Sequence, residues 1–456
     1  MRESASLSGR ASPSRWAARR RITGRCLPGS YLVEHVDIES VGVFTTTPPI
    51  GAYRGAGRPE AAFLIERLVD EAARTLKVDP VELRRRNLIP KRALSVQDRD
   101  GTGLRLRATT PICWTARSPW PTIPGFAARR RRDAPAARWS GVGVATYVEP
   151  SGLGWESGQV RVESTGAVLA VTGSSAHGQG HETTFAQIIA DELGVPPEAV
   201  TVRHGDTHGA PQGIGTFGSR STALGGSALA LASRDVREKA RRFAASMLEA
   251  SPQDIVPVDG GFGVVGAPGR HVTWARVAEF AYRGTGLPPG TEPGLEATRF
   301  FTAEGEVWSA GAFVVSVRID RDTGTVTPER IVWLDDAGTI VNPLLADGQL
   351  EGSLAQGWGQ VMMEDAVLDR DGHLLAGTLM DYAVPRADDV PHAEIGHAHT
   401  PSPNNPLGVK GIGEAGTIGI PPVMVNAVVD ALAPFGVTHL DMPLTLKNLA
   451  RFSAPR

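Results

Sequence analysis

The sequence predicts an α+β fold built on mixed sheets, and three observations support that prediction. Short runs of alternating apolar residues come in pairs, such as Val160 and Val162 followed by the run 168–171. A turn sequence joins the members of a pair, as at 322–324 between two such runs. Single helical segments separate the pairs, without the regular strand–helix–strand alternation of a doubly wound parallel sheet.

Two helices are predicted near the start of the chain. A glycine-rich loop at 51–57 leads into the first, which has Pro59 in its first turn. The second begins at Pro80, with Asp79 as its N-cap. The first helix carries an apolar stripe that predicts its buried face, formed by Phe63, Leu64, Leu68, Ala72 and Leu76.

Further elements follow in the second half of the chain. A helix that ends at Gly194 is predicted by the apolar residues Phe185, Ile188, Ile189 and Leu193. Strands are predicted by Val200 and Val202, then by Val315, Val317 and Ile319, and then by the run 326–333. The Gly-Gly-Phe-Gly stretch at 260–263 predicts a turn between short strands.

Composition narrows the class of protein. A chain of 456 residues can bury more than one core, so two domains or one large two-part domain are expected. Its 47 basic and 49 acidic side chains give no basis for binding nucleic acid or an anionic membrane. Cys26 and Cys113 are too few for an internal iron–sulfur cluster or a four-cysteine zinc site. No apolar run approaches the roughly 20 residues of a membrane span, so a cytoplasmic protein is expected.

Two arginine-rich stretches divide the chain. Residues 1–28 form an atypical leader, residues 29–100 the end of a first domain, 101–138 a second atypical segment, and 139–456 a second domain. Trp114 to Thr122 can be encoded so that a shifted frame spells Asp-Arg-Ala-Leu-Ala-Leu-Ala-Asp, a good helical sequence. We therefore hypothesise that 101–138 contains a short frameshift, and that the leader is another frameshift product.

The stretch 411–416 fits the Gly-x-Gly-x-x-Gly spacing of a dinucleotide-binding turn, but its context does not. Such a turn needs a strand before the first glycine and a helix after the last. The prolines at 401, 403 and 406 exclude a buried strand upstream. Downstream, a helix is expected to begin at Pro421. The sequence therefore argues against a dinucleotide turn and draws attention to Glu414 as a general base.

Three other stretches have residue types suited to an anionic ligand. In 174–183, Gln179 lies between Gly178 and Gly180 and offers an amide donor before a helix. The stretch 213–222 combines glycines and small hydroxyls with one arginine. Arg54 lies in a glycine-rich loop, where it can pair with a substrate oxygen. None of these stretches resembles a protein metal site, since His177 and His181 lack the His-Glu-x-x-His order of zinc enzymes.

Taken together, these stretches resemble the molybdopterin-binding large subunits of the xanthine dehydrogenase, aldehyde oxidase and carbon monoxide dehydrogenase family. The matching text is "TTTPPIGAYRGAGRPEAAFLIERLVD", "GSSAHGQGHETTFAQI", "GTFGSRSTALGGSAL", "DDAGTIVNPLLADGQLEGSLAQGWGQ" and "NPLGVKGIGEAG". These motifs stand in the family's order and cover roughly 29–100 and 139–450. The resemblance implies mixed-sheet molybdopterin-binding domains, the first ending in 29–100 and the second spanning 139–456.

The resemblance also implies a chemistry, the oxidative hydroxylation of an aldehyde or N-heterocycle with water-derived oxygen. Molybdenum would be held by the dithiolene of molybdopterin cytosine dinucleotide, without a protein metal ligand. Glu414 matches the catalytic base, Arg54 the substrate-loop arginine, and Gln179 the residue near the metal's oxo ligand. The cofactor-binding residues implied by the match are Gly178, Gln179, Gly180, Thr216, Gly218, Ser219, Arg220, Ser221, Gly411 and Gly413. Electrons would leave through an iron–sulfur [2Fe-2S] small subunit and an FAD-binding medium subunit.

Two departures from the family pattern keep alternatives open. Enzymes that oxidise carbon monoxide carry a copper-binding cysteine after the "AYR" of the substrate loop, whereas this chain has Gly55. The first half of the family's large subunit, with its "GGGFG" loop, is also expected to be missing, and a separate polypeptide could supply it. The alternatives are a carbon monoxide dehydrogenase large chain, a non-catalytic frameshifted remnant, and a generic nucleotide-binding module.

Overall fold

The computed structural model describes residues 4–8, 22–43, 51–89, 138–210, 212–445 and 449. The strands are β1 (Ser4–Ser8), β2 (Glu39–Val43), β3 (Arg138–Ser151), β4 (Trp155–Val162), β5 (Val168–Thr172), β6 (Val200–Arg203), β7 (Ile255–Val258), β8 (Gly261–Val264), β9 (Ala267–Thr273), β10 (Glu296–Thr302), β11 (Val307–Asp320), β12 (Val326–Asp336) and β13 (Ala393–His397). The α-helices are α1 (Arg58–Leu76), α2 (Pro80–Asn87), α3 (His181–Leu193), α4 (Ser227–Met247), α5 (Trp274–Arg283), α6 (Pro343–Met362) and α7 (Ala415–Leu432).

One core forms where α7 packs on a mixed sheet. The strand order of this sheet is β13-β12-β11-β3, with β13 parallel to β12 and the other pairs antiparallel. Alternation along β11 brings Phe313, Val315 and Val317 to the buried side, and Phe313 stacks on Trp333 of β12. Helices α1 and α6 also pack on α7. This core therefore holds the first residue of α7, and Glu414 just before it, in a fixed place.

Close packing of α7 on β3 depends on Gly143. A Cβ atom built at this position would lie 2.1 Å from the Val423 carbonyl oxygen and 2.6 Å from the Ala427 nitrogen, both backbone atoms of α7. We expect Gly143→Ala to lower the free energy of unfolding by about 3 kcal/mol, because the helix must move away from the sheet. Urea unfolding of the 456-residue chain measures this.

Gly348 on α6 provides the matched control for this substitution. It is exposed, and a Cβ atom built there meets no atom within 4 Å. Gly348→Ala should raise the free energy of unfolding by about 0.5–1 kcal/mol, since alanine is the better helix former. Equal effects of the two alanine substitutions would contradict the packing argument.

A second core lies around another mixed sheet, of order β10-β4-β5-β6. Helices α3 and α4 cover it with side chains such as Phe185, Ile189 and Phe243, all fully buried. The β5–α3 connection spans 173–180, and the loop 212–221 leads through a π-helical turn (Thr222–Gly226) into α4. A π-helical turn often marks a functional site. The loops of this second unit face the start of α7 across a cleft.

Most of the predicted elements are confirmed. The structure contains the β4–β5 and β11–β12 antiparallel pairs, and α3 ends at Gly194 in a left-handed conformation. The turn predicted at 260–263 is wrong in extent, because only Gly260 lies in the turn and 261–263 belong to strand β8, which pairs with β7. Helix α2 begins at Pro80, and the Asp79 side chain accepts hydrogen bonds from its first turn. The frameshift hypothesis for 101–138 and most of the leader prediction lie outside the described residues, so both stay predictions.

The buried face predicted for α1 is wrong. Leu76 of the apolar stripe is 62% exposed, and Phe63, Leu64, Leu68 and Ala72 are only half-buried. The buried face instead combines small apolar residues with charged ones, notably Glu66 and Asp70. Arg84 of α2 bonds both carboxylates, at 2.8 Å and 3.3 Å, and is fully buried. Periodicity of apolar residues missed this face because a paired buried charge looks polar in sequence.

The predicted start of α7 is also wrong. The helix begins at Ala415, directly after Glu414, and contains Pro421 and Pro422 in its interior. An interior proline costs about 3 kcal/mol or more, since it removes a helical hydrogen bond. Burial of nearly every α7 side chain offsets that cost. The absence of a strand before the first glycine, within the described residues, agrees with the rejected dinucleotide turn.

Helix α7 also bears on the expectation that no membrane span is present. Residues 415–435 are long and apolar enough to cross a membrane by length and composition, which the sequence analysis overlooked. However, 78% of the 18-residue window that passes this test is buried inside the protein. Such burial is typical of a core helix, whose apolar surface is already covered by protein.

Candidate active site

A cleft of about 440 Å³ separates the two cores. It brings together residues that are far apart in the chain, from the loops at 54, 177–181, 216–222 and 409–414 and from the start of α6. All of the predicted site residues line it except Gly180, which packs against Leu345 at the rim. The separate sequence motifs therefore converge on one site, as the resemblance implies.

Glu414 is the carboxylate at the centre of this cleft. Its Oε1 accepts a hydrogen bond from the Gly55 backbone N–H at 2.9 Å. Its Oε2 accepts one from Ser219 Oγ at 3.2 Å and one from Arg58 Nη1 at 3.3 Å. The side chain is only 12% exposed. Three donors from two segments, 55–58 and the loop that holds Ser219, thus orient one carboxylate, which is the arrangement expected of a general base held ready for a substrate.

Arg58 is a site residue that sequence reasoning missed. It lies at the first position of α1 and is 2% exposed. Besides Glu414, its guanidinium donates to the carbonyl oxygens of Pro150 and Gly55. The arginine therefore ties the substrate loop, β3 and the base together. The signal that could have identified it is the second arginine of the "YRGAGR" text, directly after the glycine-rich loop.

Arg54 lies on the other side of Glu414 and lines the same cleft. Its Nε donates to the Gly413 carbonyl oxygen at 2.5 Å, and its Nη2 donates to the Gln349 carbonyl oxygen at 3.3 Å. Burial lowers the pKa of Arg54, whereas the charges of Glu414 and Glu149 raise it. The guanidinium is therefore held by neutral oxygens next to the base, where a substrate oxygen or ring nitrogen can reach its charge.

Gln179 lies where β5 leads into α3. Its side-chain oxygen accepts a hydrogen bond from the His177 backbone N–H, so the amide group keeps its N–H donors for the cleft. His177 is exposed, whereas His181 is buried against Phe185 with its Nδ1 3.4 Å from the Ser174 carbonyl oxygen. Burial lowers the pKa of His181, which favours the neutral ring. His181 thus packs the loop, and Gln179 presents the polar group.

The loop 213–222 is joined to strand β4 by the ion pair between Arg220 and Glu156. Arg220 is 1% exposed, and its Nη1 bonds Glu156 Oε2 at 3.0 Å and the Gly215 carbonyl oxygen at 2.5 Å. Its Nε donates to the Leu153 carbonyl oxygen at 2.9 Å. Ser221 Oγ donates to Thr216 Oγ1 at 2.9 Å. The Arg220 guanidinium therefore holds the loop in shape, and the hydroxyls and backbone are the groups available to a ligand.

The remaining predicted residues belong to the loop before α7. Gly411 packs against Ser219 and Ser151, and Gly413 against Gln349. Lys410, which the sequence analysis did not single out, also lines the cleft and pairs with Asp336 Oδ2 at 2.9 Å. This loop brings Ser219 of one unit to Glu414 of the other.

Glu149 is a second carboxyl group behind Glu414. It lies on β3 with no solvent exposure, and its Oε2 accepts a hydrogen bond from Ser309 Oγ at 3.3 Å. Burial, with a further contribution from the charge of Glu414, raises its pKa from 4.5 to about 7. Glu149 is the only charged residue in the run 141–151, and this isolated charge is the feature of the sequence that could have identified it.

The cleft suits a large anionic cofactor that carries its own metal ligands. Within the described residues, the only group of acidic and histidine side chains spaced for a metal ion is Asp369, Asp371 and His373, which are not among the lining residues. Gly178 lines the cleft with a left-handed backbone, and a Cβ atom built there would meet no atom within 4 Å. Backbone and hydroxyl donors along an open wall of this kind fit phosphate and pterin groups.

Comparison with known proteins identifies the family. A model of the molybdopterin cofactor-binding domain matches residues 122–391, and a second model with the same description matches residues 7–88. Both matches extend into the stretches that the sequence analysis considered atypical. The chain belongs to the molybdopterin-binding large subunits of the xanthine dehydrogenase, aldehyde oxidase and carbon monoxide dehydrogenase family.

Individual relatives support the same assignment. The chain is 39% identical over 442 residues to the carbon monoxide dehydrogenase large chain of Hydrogenophaga pseudoflava, covering 91% of this chain and 54% of the relative. It is 34% identical over 437 residues to the nicotine 6-hydroxylase large subunit of Paenarthrobacter nicotinovorans, covering 93% and 53%. The crystal structure of quinoline 2-oxidoreductase from Pseudomonas putida 86 aligns with a TM-score of 0.89 at 33% identity, covering 99% of this chain and 60% of that one. The chain thus spans about half the length of the curated relatives it matches.

Proposed function

We propose that this chain is the catalytic part of a molybdenum hydroxylase that oxidises an aldehyde or an N-heterocycle with water-derived oxygen. The observation that supports this proposal most directly is Glu414, which three donors orient inside the cleft of a molybdopterin-binding fold. Relatives named for nicotine and quinoline are consistent with a heterocyclic substrate.

The chain's own residues have separate tasks in this reaction. Glu414 accepts the proton of the attacking oxygen at its carboxylate. Arg58, Gly55 and Ser219 hold that carboxylate in place through the three hydrogen bonds described above. Arg54 binds the substrate oxygen or ring nitrogen and so orients the carbon that reacts. When bound, molybdopterin supplies the metal that takes up the two electrons of the oxidation.

The nucleotide attached to the cofactor and the partner subunits are also part of the proposal. We propose molybdopterin cytosine dinucleotide, held by the backbone and hydroxyls of 178–180, 216–221 and 411–413 and approached by the Gln179 amide. Electrons leave through an iron–sulfur [2Fe-2S] small subunit and an FAD-binding medium subunit. Relatives named as large chains and large subunits support an assembly of this kind.

Metal and nucleotide analysis of the complex purified from its native source tests this proposal. We expect molybdenum and a cytidine nucleotide in equal amounts, with iron and flavin from the partner subunits. Nucleotide without molybdenum would instead support a nucleotide-binding module. The absence of both would support a remnant that no longer binds the cofactor.

Oxidation of carbon monoxide is the second candidate function, because a carbon monoxide dehydrogenase large chain is among the relatives. The substrate loop opposes it. Gly55 has a φ of +102°, and a Cβ atom there would lie 2.5 Å from Pro59 Cγ. The loop therefore has no room for the cysteine expected of a copper-containing site. The comparisons do not favour this candidate over hydroxylation of an aldehyde or heterocycle.

Gly55→Cys should consequently damage the site instead of converting it. We expect the free energy of unfolding to fall by about 1–3 kcal/mol, from backbone strain and the contact with Pro59. Hydroxylase turnover should fall as well, since the Gly55 N–H holds Glu414. Unfolding, turnover and carbon monoxide oxidation with added copper are the measurements. Gly51→Cys, where a Cβ atom meets nothing within 4 Å, is the control. Carbon monoxide oxidation by Gly55→Cys at full stability would contradict the steric argument.

A further inference from the structure

A second cavity, of about 200 Å³, lies beside the substrate loop. We call it the side cavity, and the residues that line it include Tyr53, Gln360, Glu364 and Tyr382. Arg54 lines both the side cavity and the cleft. Among the described residues, none from the loops proposed to hold the cofactor lines the side cavity. The residue that the two spaces share is thus the one proposed to bind substrate, which places the side cavity on the substrate side of the site.

Glu364 is the charged group of the side cavity on which this inference depends. It lies just after the end of α6 and is half-buried, and its Oε2 accepts a hydrogen bond from the Tyr382 hydroxyl. Burial and this contact with Glu364 raise the pKa of Tyr382, so the phenol remains a donor. Within the part of the chain that the structure describes, no arginine, lysine or histidine forms an ion pair with Glu364. A half-buried carboxylate without a cation is suited to a cationic ligand.

The other charged residues that line the side cavity are engaged elsewhere. Arg54 donates to the carbonyl oxygens of Gly413 and Gln349, and it forms no ion pair with Glu364. Its charge is also balanced by that of Glu414, which acts on it from the cleft. Glu60 lines the side cavity from the first turn of α1 and has an interaction of its own. Glu364 is therefore the carboxylate that a ligand in this cavity can pair with.

The remaining polar groups of the side cavity also match a donor. Gln360 lies in the last turn of α6, and its Oε1 is buried without a hydrogen-bond partner among the described residues. A buried acceptor of this kind is costly unless an N–H or O–H reaches it. Tyr53 and Tyr382 add aromatic rings, which attract cations. A protonated amine has only donors, so it suits these acceptors and rings together.

The size of the side cavity limits what it can hold. Complete sites for small molecules usually measure about 300–1,000 Å³, and this cavity is smaller. It therefore fits one substituent of a ligand whose other part lies in the cleft at Arg54. A short alkylammonium group meets both the size and the charge.

We propose that the side cavity binds a protonated amine of the substrate, while the carbon that reacts lies in the cleft between Arg54 and Glu414. The substrate class is then an N-heterocycle or aldehyde that carries a basic aliphatic amine. Glu364 determines this specificity through its charge and touches no reacting atom. The inference rests on the proposed function and deepens it by naming the substrate class.

The first test measures binding and needs neither cofactor nor turnover. Isothermal titration calorimetry of the full chain compares benzylammonium with benzyl alcohol, a neutral probe of similar size. The wild type should bind benzylammonium about 10-fold more tightly, because a hydrogen bond to a charged group is stronger than a neutral one. Glu364→Gln should abolish this preference and leave the affinity for benzyl alcohol unchanged. Equal affinities in the wild type, or no saturable binding of benzylammonium, would overturn the proposal.

Three control variants locate the bound cation. Glu351→Gln removes an exposed carboxylate of α6 and should keep the preference. Glu414→Gln should keep it too, and loss of the preference there would place the cation in the cleft and overturn the proposal. Ala366 is exposed and lines the side cavity, so Ala366→Lys should weaken the binding of benzylammonium and spare benzyl alcohol. This variant also serves if Glu364→Gln does not fold, and an unchanged affinity for benzylammonium would contradict the proposal.

The second test uses the loaded complex and two matched heterocycles, a pyridine with an aminomethyl group and the same pyridine with an ethyl group. Glu364→Gln should raise KM for the aminomethyl compound about 10-fold, with kcat unchanged and both constants unchanged for the ethyl compound. Equal effects on the two compounds would assign Glu364 a structural role and overturn the specificity. Failure of the proposed function is distinguishable, because a complex without molybdenum or turnover leaves the calorimetric preference for benzylammonium in place. If the complex oxidises neither pyridine, the calorimetry decides the inference.

Discussion

Glu414→Gln is expected to lower kcat by a factor of 10² to 10⁴ while the cofactor stays bound. General-base catalysis contributes a factor of this size, and glutamine keeps the volume of the side chain but cannot accept the proton. The hydrogen bond from the Gly55 N–H can be retained by the amide oxygen, so the substrate loop should keep its place. Steady-state kinetics on the molybdenum-containing complex provides the measurement.

Two controls separate the chemical role of Glu414 from a structural one. Molybdenum content should equal that of the wild type, because the one bond of this carboxylate to the loop 213–222 comes from Ser219, whose hydroxyl can instead accept from the glutamine amide. Glu351→Gln neutralises an exposed carboxylate on α6 and should leave kcat unchanged. Unchanged turnover in Glu414→Gln would exclude it as the base, and parallel loss of metal and turnover would assign it to cofactor retention.

Patterns of neighbouring residues in the sequence predicted the strands that have one apolar face and one polar face. The β4–β5 and β11–β12 pairs could be identified because alternation and turn residues are both local signals. Two elements could not be identified in this way. Helix α7 contains two prolines, and only its burial on all sides explains why it continues through them. The buried face of α1 is polar in sequence, and only Arg84, on another helix, makes it a core face.

The candidate site could be predicted to a similar degree. Recognition of the motifs placed Glu414, Gln179 and Arg54 in one site, and the structure brings them to one cleft. The network that holds the base could not be predicted, because Arg58 and Ser219 bond Glu414 from segments that are distant from it in the sequence. For Arg220, the sequence motif predicted a role that differs from the contacts in the structure. Its neighbours in sequence suggest a ligand for phosphate, whereas its partner Glu156 lies on another strand and is invisible to a local motif.

Arg220→Met is expected to lower the free energy of unfolding by about 3–5 kcal/mol. The Arg220–Glu156 pair is buried, with side-chain exposures of 1% and 0%, and removal of the arginine leaves an unpaired charge in the core. Urea unfolding of the full chain measures the loss. The double variant Arg220→Met with Glu156→Met removes the stranded charge too and should recover part of the stability.

Cofactor content of these two variants decides between a structural role for Arg220 and direct binding of phosphate. Arg220 donates to Glu156 and to the carbonyl oxygens of Leu153, Trp155 and Gly215, so its bonds with the protein engage each guanidinium nitrogen. We therefore expect the single variant to lose molybdenum because the loop 213–222 loses its shape, and the double variant to regain molybdenum as it regains stability. A double variant that is stable but empty would show that the guanidinium binds the cofactor itself. In that case the sequence motif, and not the ion pair, would describe the function of this arginine.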